Sequence, residues 1–105
     1  MAQPKVSILI SFYNLASYVD ETLESVLHQE TNFPIEVLCA DDGSTDDTVK
    51  KLRVWEQKYP EIVRVFVMDF VPGEKRPPDV RIKRLNAIRG RLFSEACGEY
   101  ICYLD

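Results

Sequence analysis

The chain reads as an α/β protein built on a mostly parallel sheet with helices on both faces. Three observations predict that class. Short apolar runs alternate with stretches of helical periodicity in the order strand, helix, strand, helix, strand, loop, helix, strand, and parallel neighbours require right-handed crossovers that helices supply. The first run, VSILIS at residues 6 to 11, is almost continuously apolar, which suits a strand covered on both faces. A composition of 46% hydrophobic and 29% charged residues over 105 positions fits one globular domain or part of one and excludes a disordered chain.

Each element follows from local chemistry. After the first strand, Tyr13 and Asn14 lead out of the sheet, and apolar residues at 15, 18, 19, 23, 26 and 27 recur at helical spacing. A helix is expected over residues 17 to 29, with Ser17 as its cap and Asp20 and Glu21 near the positive end of its dipole. Residues 32 to 34 turn the chain into a second strand at residues 35 to 40, which delivers Asp41 and Asp42. Ser44, followed three residues later by Asp47, resembles a capping box opening a second helix. Val49, Leu52, Val54, Trp55 and Tyr59 give that helix its apolar content, and Pro60 closes it from outside. Residues 63 to 68 form a third strand ended by Asp69. Residues 70 to 80, FVPGEKRPPDV, carry three prolines and a glycine and are read as a loop. Ile82, Leu85, Ile88, Leu92, Phe93 and Ala96 mark a basic helix with Gly98 as its C-terminal cap, and residues 100 to 104 form the fourth strand.

The formal charge of -4 is unevenly spread. Residues 72 to 91 hold seven Lys or Arg against Glu74 and Asp79, a local +5, so the remainder carries -9. A general polyanion binder is excluded, nucleic acid with it, and any anion held should meet this one segment. Cys39, Cys97 and Cys102 are odd in number and lack metal-ligand spacing, and two of them lie inside apolar runs; buried, reduced thiols are expected. With no signal peptide and no span of about 20 apolar residues, a cytoplasmic location is expected, membrane association being left to a full-length parent.

The carboxyl ends of parallel strands are where such sheets take ligands. Here those ends carry residues 11 to 14, Asp41 with Asp42, Asp69 and Asp105. Two adjacent carboxylates resist burial, so the run CADDGSTDDT needs either water or a ligand. A carboxylate can accept the N3–H of uracil, which cytosine lacks, while a second orients a ribose or accepts turn N–H groups. Gly43 permits the close turn. The plainer alternative, a solvated turn with a helix cap, stays open on these residues alone. Asp105 brings a further carboxylate to the rim, as a hard divalent cation bound through oxygen requires. Arg84 and Arg89 are placed to neutralise a diphosphate, although most of their basic neighbours are read as a solvated face. His28 lies near the far end of the first helix, away from the rim, which argues against its acting as a base.

Over nearly its whole length the chain resembles the nucleotide-sugar-binding half of a family 2 glycosyltransferase with the GT-A fold, a Rossmann-like arrangement. The resemblance rests on PKVSILISFYN, YVDETLESVLHQ, IEVLCADDGSTDDT and RGRLFSEACGEYICYLD, four pieces in the family's order and spacing. It implies that Ser11 and Tyr13 line the base and ribose pocket with Asn14 beside them, that Asp42 with Asp41 contacts uracil or ribose, and that Arg84 faces the diphosphate. Arg89 matches the arginine of the usual Arg-Asn pair, whereas Gly90 stands where the Asn is expected. Asp105 corresponds to the first Asp of the Asp-x-Asp signature. The second Asp, the acceptor-binding half and the general base are absent, so the resemblance implies an N-terminal, truncated piece of a longer enzyme. It assigns no catalytic residue to this piece.

For the parent, the resemblance implies inverting transfer from a UDP-sugar to the hydroxyl of an unknown glycan or lipid-linked acceptor, with Mg²⁺ or Mn²⁺ steadying the departing nucleoside diphosphate. A nucleotidylyltransferase would show a glycine-rich basic loop after the first strand, and SFYNLASY has neither feature. A receiver-like signalling module would carry its acid pair after the first strand, which ends in SFYN. A stand-alone, non-catalytic nucleotide-binding module is the remaining alternative. An exposed fourth-strand edge is expected to let this piece self-associate.

Overall fold

The computed structural model describes residues 3–68 and 78–104, side chains of 78–84 excepted. Its elements run β1 (Val6–Phe12), α1 (Ala16–Leu27), β2 (Ile35–Asp41), α2 (Thr48–Lys58), β3 (Val63–Val67), α3 (Pro78–Glu95) and β4 (Tyr100–Leu104). The four strands form one parallel sheet in the order β3-β2-β1-β4. The α/β expectation therefore holds.

The handedness of crossovers then decides which face each helix covers. From β1 to β2 to β3 the chain steps one way across the sheet; from β3 to β4 it steps back past β1. Right-handed connections consequently put α1 and α2 on one face and α3 on the other. The core divides accordingly. Ile10, Phe12, Val37, Cys39, Val63 and Val65 meet Val19, Leu23 and Val26 of α1 and Leu52 and Trp55 of α2. Leu9, Leu38 and Ala40 meet Ile88 and Leu92 of α3, with Phe66 and Tyr103 at the margin. Strand alternation produces this split, since successive side chains point to opposite faces.

Polar contacts tie the layers together. Trp55 Nε1 donates to Asp20 Oδ1 at 2.8 Å, joining α2 to α1. On the other face, Glu36 is buried and its Oε2 accepts from the Ser7 hydroxyl at 2.5 Å and from the Cys97 N–H at 2.6 Å. Arg64 Nη2 lies 3.4 Å from the Glu36 Oε1 and donates to the Glu95 carbonyl at 2.7 Å.

Several local expectations are corrected. Helix α1 begins at Ala16 with no side-chain cap from its own N-cap, so Ser17 does not cap it; its leading N–H groups are met from across the molecule, Leu15 N–H by Thr48 Oγ1 at 3.0 Å and Ala16 N–H by Asp46 Oδ2 at 3.2 Å. The Ser44/Asp47 capping box is not formed. Asp46 Oδ1 instead accepts from the Thr48 N–H at 3.0 Å and from its hydroxyl, at the start of α2. Helix α3 begins at Pro78, inside the stretch read as loop, because proline suits the first helical turn, where its missing N–H has no partner to lose. Gly98 is not a left-handed cap: a Cβ there would stand 2.7 Å from Ser7 N and Oγ, and its N–H donates to Ser7 Oγ at 2.8 Å, so glycine serves close approach of the α3–β4 link to β1. Cys39 is buried as expected, but Cys97 and Cys102 are exposed, the latter because β4 is an edge strand. Among the described residues no helix is long and apolar enough to cross a membrane.

Candidate functional site

The strand order reverses at β1: the connection leaving β1 runs to α1 on one face of the sheet while α3 covers the other, and the carboxyl end of β1 lies between them. A cleft of about 170 Å³ occupies that position, lined by Ser11, Phe12, Tyr13, Leu15, Asp42, Leu85 and Ile88. Thus the structure brings Ser11, Tyr13 and Asp42 together. The apolar wall from α3, Leu85 and Ile88, carries no site signal in the sequence, where its helical spacing points only to core.

The two neighbouring aspartates have different environments, and strand parity is the cause. Asp41 continues the series Val37, Cys39 toward the α1/α2 face, while Asp42 continues Leu38, Ala40 toward the α3 face, where the cleft lies. Asp41 is fully buried. Its Oδ2 accepts from the Ser44 N–H at 2.8 Å and its Oδ1 from the Ser44 hydroxyl at 2.5 Å, the pattern of an Asx turn. Gly43, at φ 74°, makes the reversal that lets Ser44 come back to Asp41. Asp42 lies over the end of β1, its N–H donating to the Phe12 carbonyl at 2.8 Å.

The β1–α1 and β2–α2 loops are stitched to each other. Asn14 N–H donates to Ser44 Oγ at 2.8 Å, and Asn14 Oδ1 accepts from the Thr45 N–H at 2.8 Å. Asn14 sits at φ 49°, a left-handed conformation that asparagine tolerates better than most residues. Lys51 Nζ donates to the Ala16 carbonyl at 2.9 Å. Asp46 is held below its ordinary carboxyl pKa, chiefly by the Thr48 hydroxyl and further by backbone N–H groups, Ala16 among them. Most of DDGSTDDT is thereby accounted for as loop chemistry, and Asp42 is the carboxylate of that run that lines the cleft.

The remaining candidates lie around this centre. The Tyr103 hydroxyl donates to Ser11 Oγ at 3.1 Å, and the Arg89 guanidinium lies over the Tyr103 ring, 5.2 Å from its centroid. A continuous path therefore runs from Arg89 through Tyr103 to the cleft floor. The Arg84 side chain, Asp69 and Asp105 lie outside the described residues. His28 caps the C-terminal end of α1, at the opposite end of that helix from the cleft. No group of three or more His, Cys, Asp or Glu among the described residues is arranged to hold a metal ion.

A parallel sheet with an order reversal and a polar-and-apolar cleft above it places the molecule among α/β proteins that bind ligands at the carboxyl rim. Within that class, the chain belongs to glycosyl transferase family 2, which matches residues 7–71. It is 30% identical over 104 residues to the poly(ribitol-phosphate) beta-glucosyltransferase of Bacillus spizizenii, covering 96% of this chain and 14% of that protein. The putative glycosyltransferase EpsE of Bacillus subtilis is 29% identical over 102 residues, 97% of this chain and 32% of EpsE. Among solved structures, S. aureus TarS 1-349 in complex with UDP-GlcNAc superposes with a TM-score of 0.66 at 26% identity, over 96% of this chain and 26% of that one. The fold is accordingly the GT-A type, and the chain spans less than a third of each of these relatives.

Proposed function

We propose that this chain forms the donor-nucleotide half of an inverting glycosyltransferase that takes a UDP-sugar and transfers the sugar to a hydroxyl acceptor. The observation that carries the reading is the convergence of Ser11, Tyr13 and Asp42 in one cleft at the strand-order reversal. In this reading Asp42 accepts the N3–H of uracil, Tyr13 and Ser11 bound the base and ribose, and Leu85 and Ile88 supply the apolar wall a base ring needs. Asp41 acts from beneath, holding the turn that aims Asp42. Arg89, and Arg84 on the same helix, stand for the diphosphate. The UDP-GlcNAc complex of TarS supports a nucleotide-sugar partner.

The residues of this piece bind the donor and do not complete transfer, which further requires a base to remove the acceptor proton as its oxygen attacks the anomeric carbon. A divalent cation, Mg²⁺ or Mn²⁺, belongs to the reading only for the full-length parent through Asp105; the described residues do not make a cation site by themselves, and no step is assigned to one.

Calorimetry on the 105-residue chain tests the reading. UDP should bind more tightly than CDP, and Asp42→Ala should abolish that preference, costing about 1.5 to 3 kcal/mol or roughly ten- to a hundredfold in UDP affinity. Equal affinity of the unsubstituted protein for UDP and CDP would overturn the role of Asp42.

A further inference from the structure

We propose that Asn14 is a positioning residue of this site, the upper pin of a relay that fixes the distance between the Tyr13 and Asp42 walls. The inference rests on the nucleotide reading of the cleft and adds a residue that acts on the ligand through others. Asn14 is the one non-glycine residue with positive φ among the described residues, and unusual backbone at the edge of a cleft is a reason to ask what holds it there.

What holds it is directional. The Ser44 hydroxyl donates to the buried Asp41 carboxylate at 2.5 Å, so its lone pairs are left to accept the Asn14 N–H at 2.8 Å. Asp41, an acceptor when ionised, therefore fixes the orientation of Ser44, and Ser44 fixes Asn14. The Asn14 side chain closes the loop from its own end, Oδ1 accepting from the Thr45 N–H at 2.8 Å and approached by the Thr45 hydroxyl at 3.4 Å. Tyr13 directly precedes Asn14, and Asp42 is separated from Ser44 by Gly43 alone. Below them, Asp42 N–H to the Phe12 carbonyl at 2.8 Å joins the same two loops. The walls are thus pinned on both sides. Losing the upper pin loosens the backbone on the far side of Tyr13 while Asp42 stays tied to β1. A flat base held between the two walls would lose contact with one of them.

The relay makes different demands on different substitutions. Asn14→Asp keeps a carbonyl-type acceptor for Thr45 and tolerates positive φ. Asn14→Gly keeps the backbone conformation and loses the acceptor. Asn14→Ala loses the acceptor and disfavours the conformation. UDP and CDP affinity, thermal midpoint and ligand-free amide exchange are measured for all three in the 105-residue chain. Expected is a loss of about tenfold in UDP affinity for Asn14→Ala, as for one or two net hydrogen bonds, with the UDP:CDP ratio falling toward one. Asn14→Gly should lie between, and Asn14→Asp should restore affinity and ratio to within about threefold of the unsubstituted chain. In the ligand-free protein the Thr45 amide should exchange faster in the Ala and Gly variants and stay protected in the Asp variant. A lowered midpoint with unchanged affinity and ratio means a stability role only and overturns the proposal, as does equal impairment of the Ala and Asp variants. If the unsubstituted chain binds no UDP, the nucleotide reading fails; Thr45 exchange then judges the relay alone, and exchange unaltered by Asn14→Ala overturns it too.

Discussion

At the scale of single residues, adjacency in sequence is a poor guide to role. Asp41 and Asp42 are chemically identical neighbours, yet one is buried under a turn and the other lines the cleft. The presence of acids at the rim was legible, because an apolar run ending in two aspartates has few other uses. Which of them faces the cleft depended on strand parity relative to helices whose sides the sequence did not specify. The cysteines show the same dependence. Cys39 has its thiol pKa pushed up to about 12, first by burial and then by the nearby Glu56 carboxylate, whereas Cys97 and Cys102 are exposed. Native protein at neutral pH should therefore react with a thiol reagent at Cys97 and Cys102, and Cys39 should react only on unfolding, as peptide mapping would reveal. A folded pKa raised above its ordinary 9.0 means the unfolded chain loses its proton first, so this stabilisation is intact below 9.0 and falls away as pH rises toward about 12. Asp46 acts at the other extreme: its lowered pKa supports the fold above its ordinary 3.8 and the support is lost as pH drops through the lower folded value.

Among elements, strands were easier to read than helix ends. The runs VSILIS and IEVLCA announce strands by composition alone, and their observed bounds extend by one residue each. Helix ends depend on partners, and here the partners are remote: the N–H groups opening α1 are met by Asp46 and Thr48, about thirty residues away in the chain. Local capping rules look only a few residues ahead, so they nominated Ser17 and Ser44. Proline at position 78 looks like a breaker among its neighbouring prolines and is a starter. The joint between α3 and β4 rests on Glu36, which collects the Ser7 hydroxyl and the Cys97 N–H and pairs with Arg64. Replacing it, Glu36→Ala, leaves the Ser7 hydroxyl and the Cys97 N–H without their shared acceptor and removes one partner of Arg64, which keeps Glu95. A stability loss of about 3 kcal/mol is expected in urea titration, with amide protection lost first at residues 96 to 98 rather than in α1 or α2. Uniform loss across the sheet would argue against a local joint.

For the whole molecule, the four-stranded sheet has unequal margins. Strand β3 carries Arg64 at one edge, while β4 presents Tyr100, Ile101, Cys102, Tyr103 and Leu104 at the other, with Tyr100 63% exposed and no charge or proline among the five. Such an edge lacks the usual protections against strand addition. The 105-residue chain is therefore expected to self-associate through an antiparallel β4–β4 contact, and sedimentation velocity should show a concentration-dependent species that Cys102→Lys suppresses. A monomer at all concentrations would refute it. The sheet order also has a temporal meaning. Of these four strands β1 is made before the others and sits inside the sheet, between β2 and β4, the latest of the four to be synthesised. For the interval in which residues 42 to 99 are being synthesised, one flank of the N-terminal strand has no permanent neighbour. During that interval the free flank of β1 is an open template for wrong pairing.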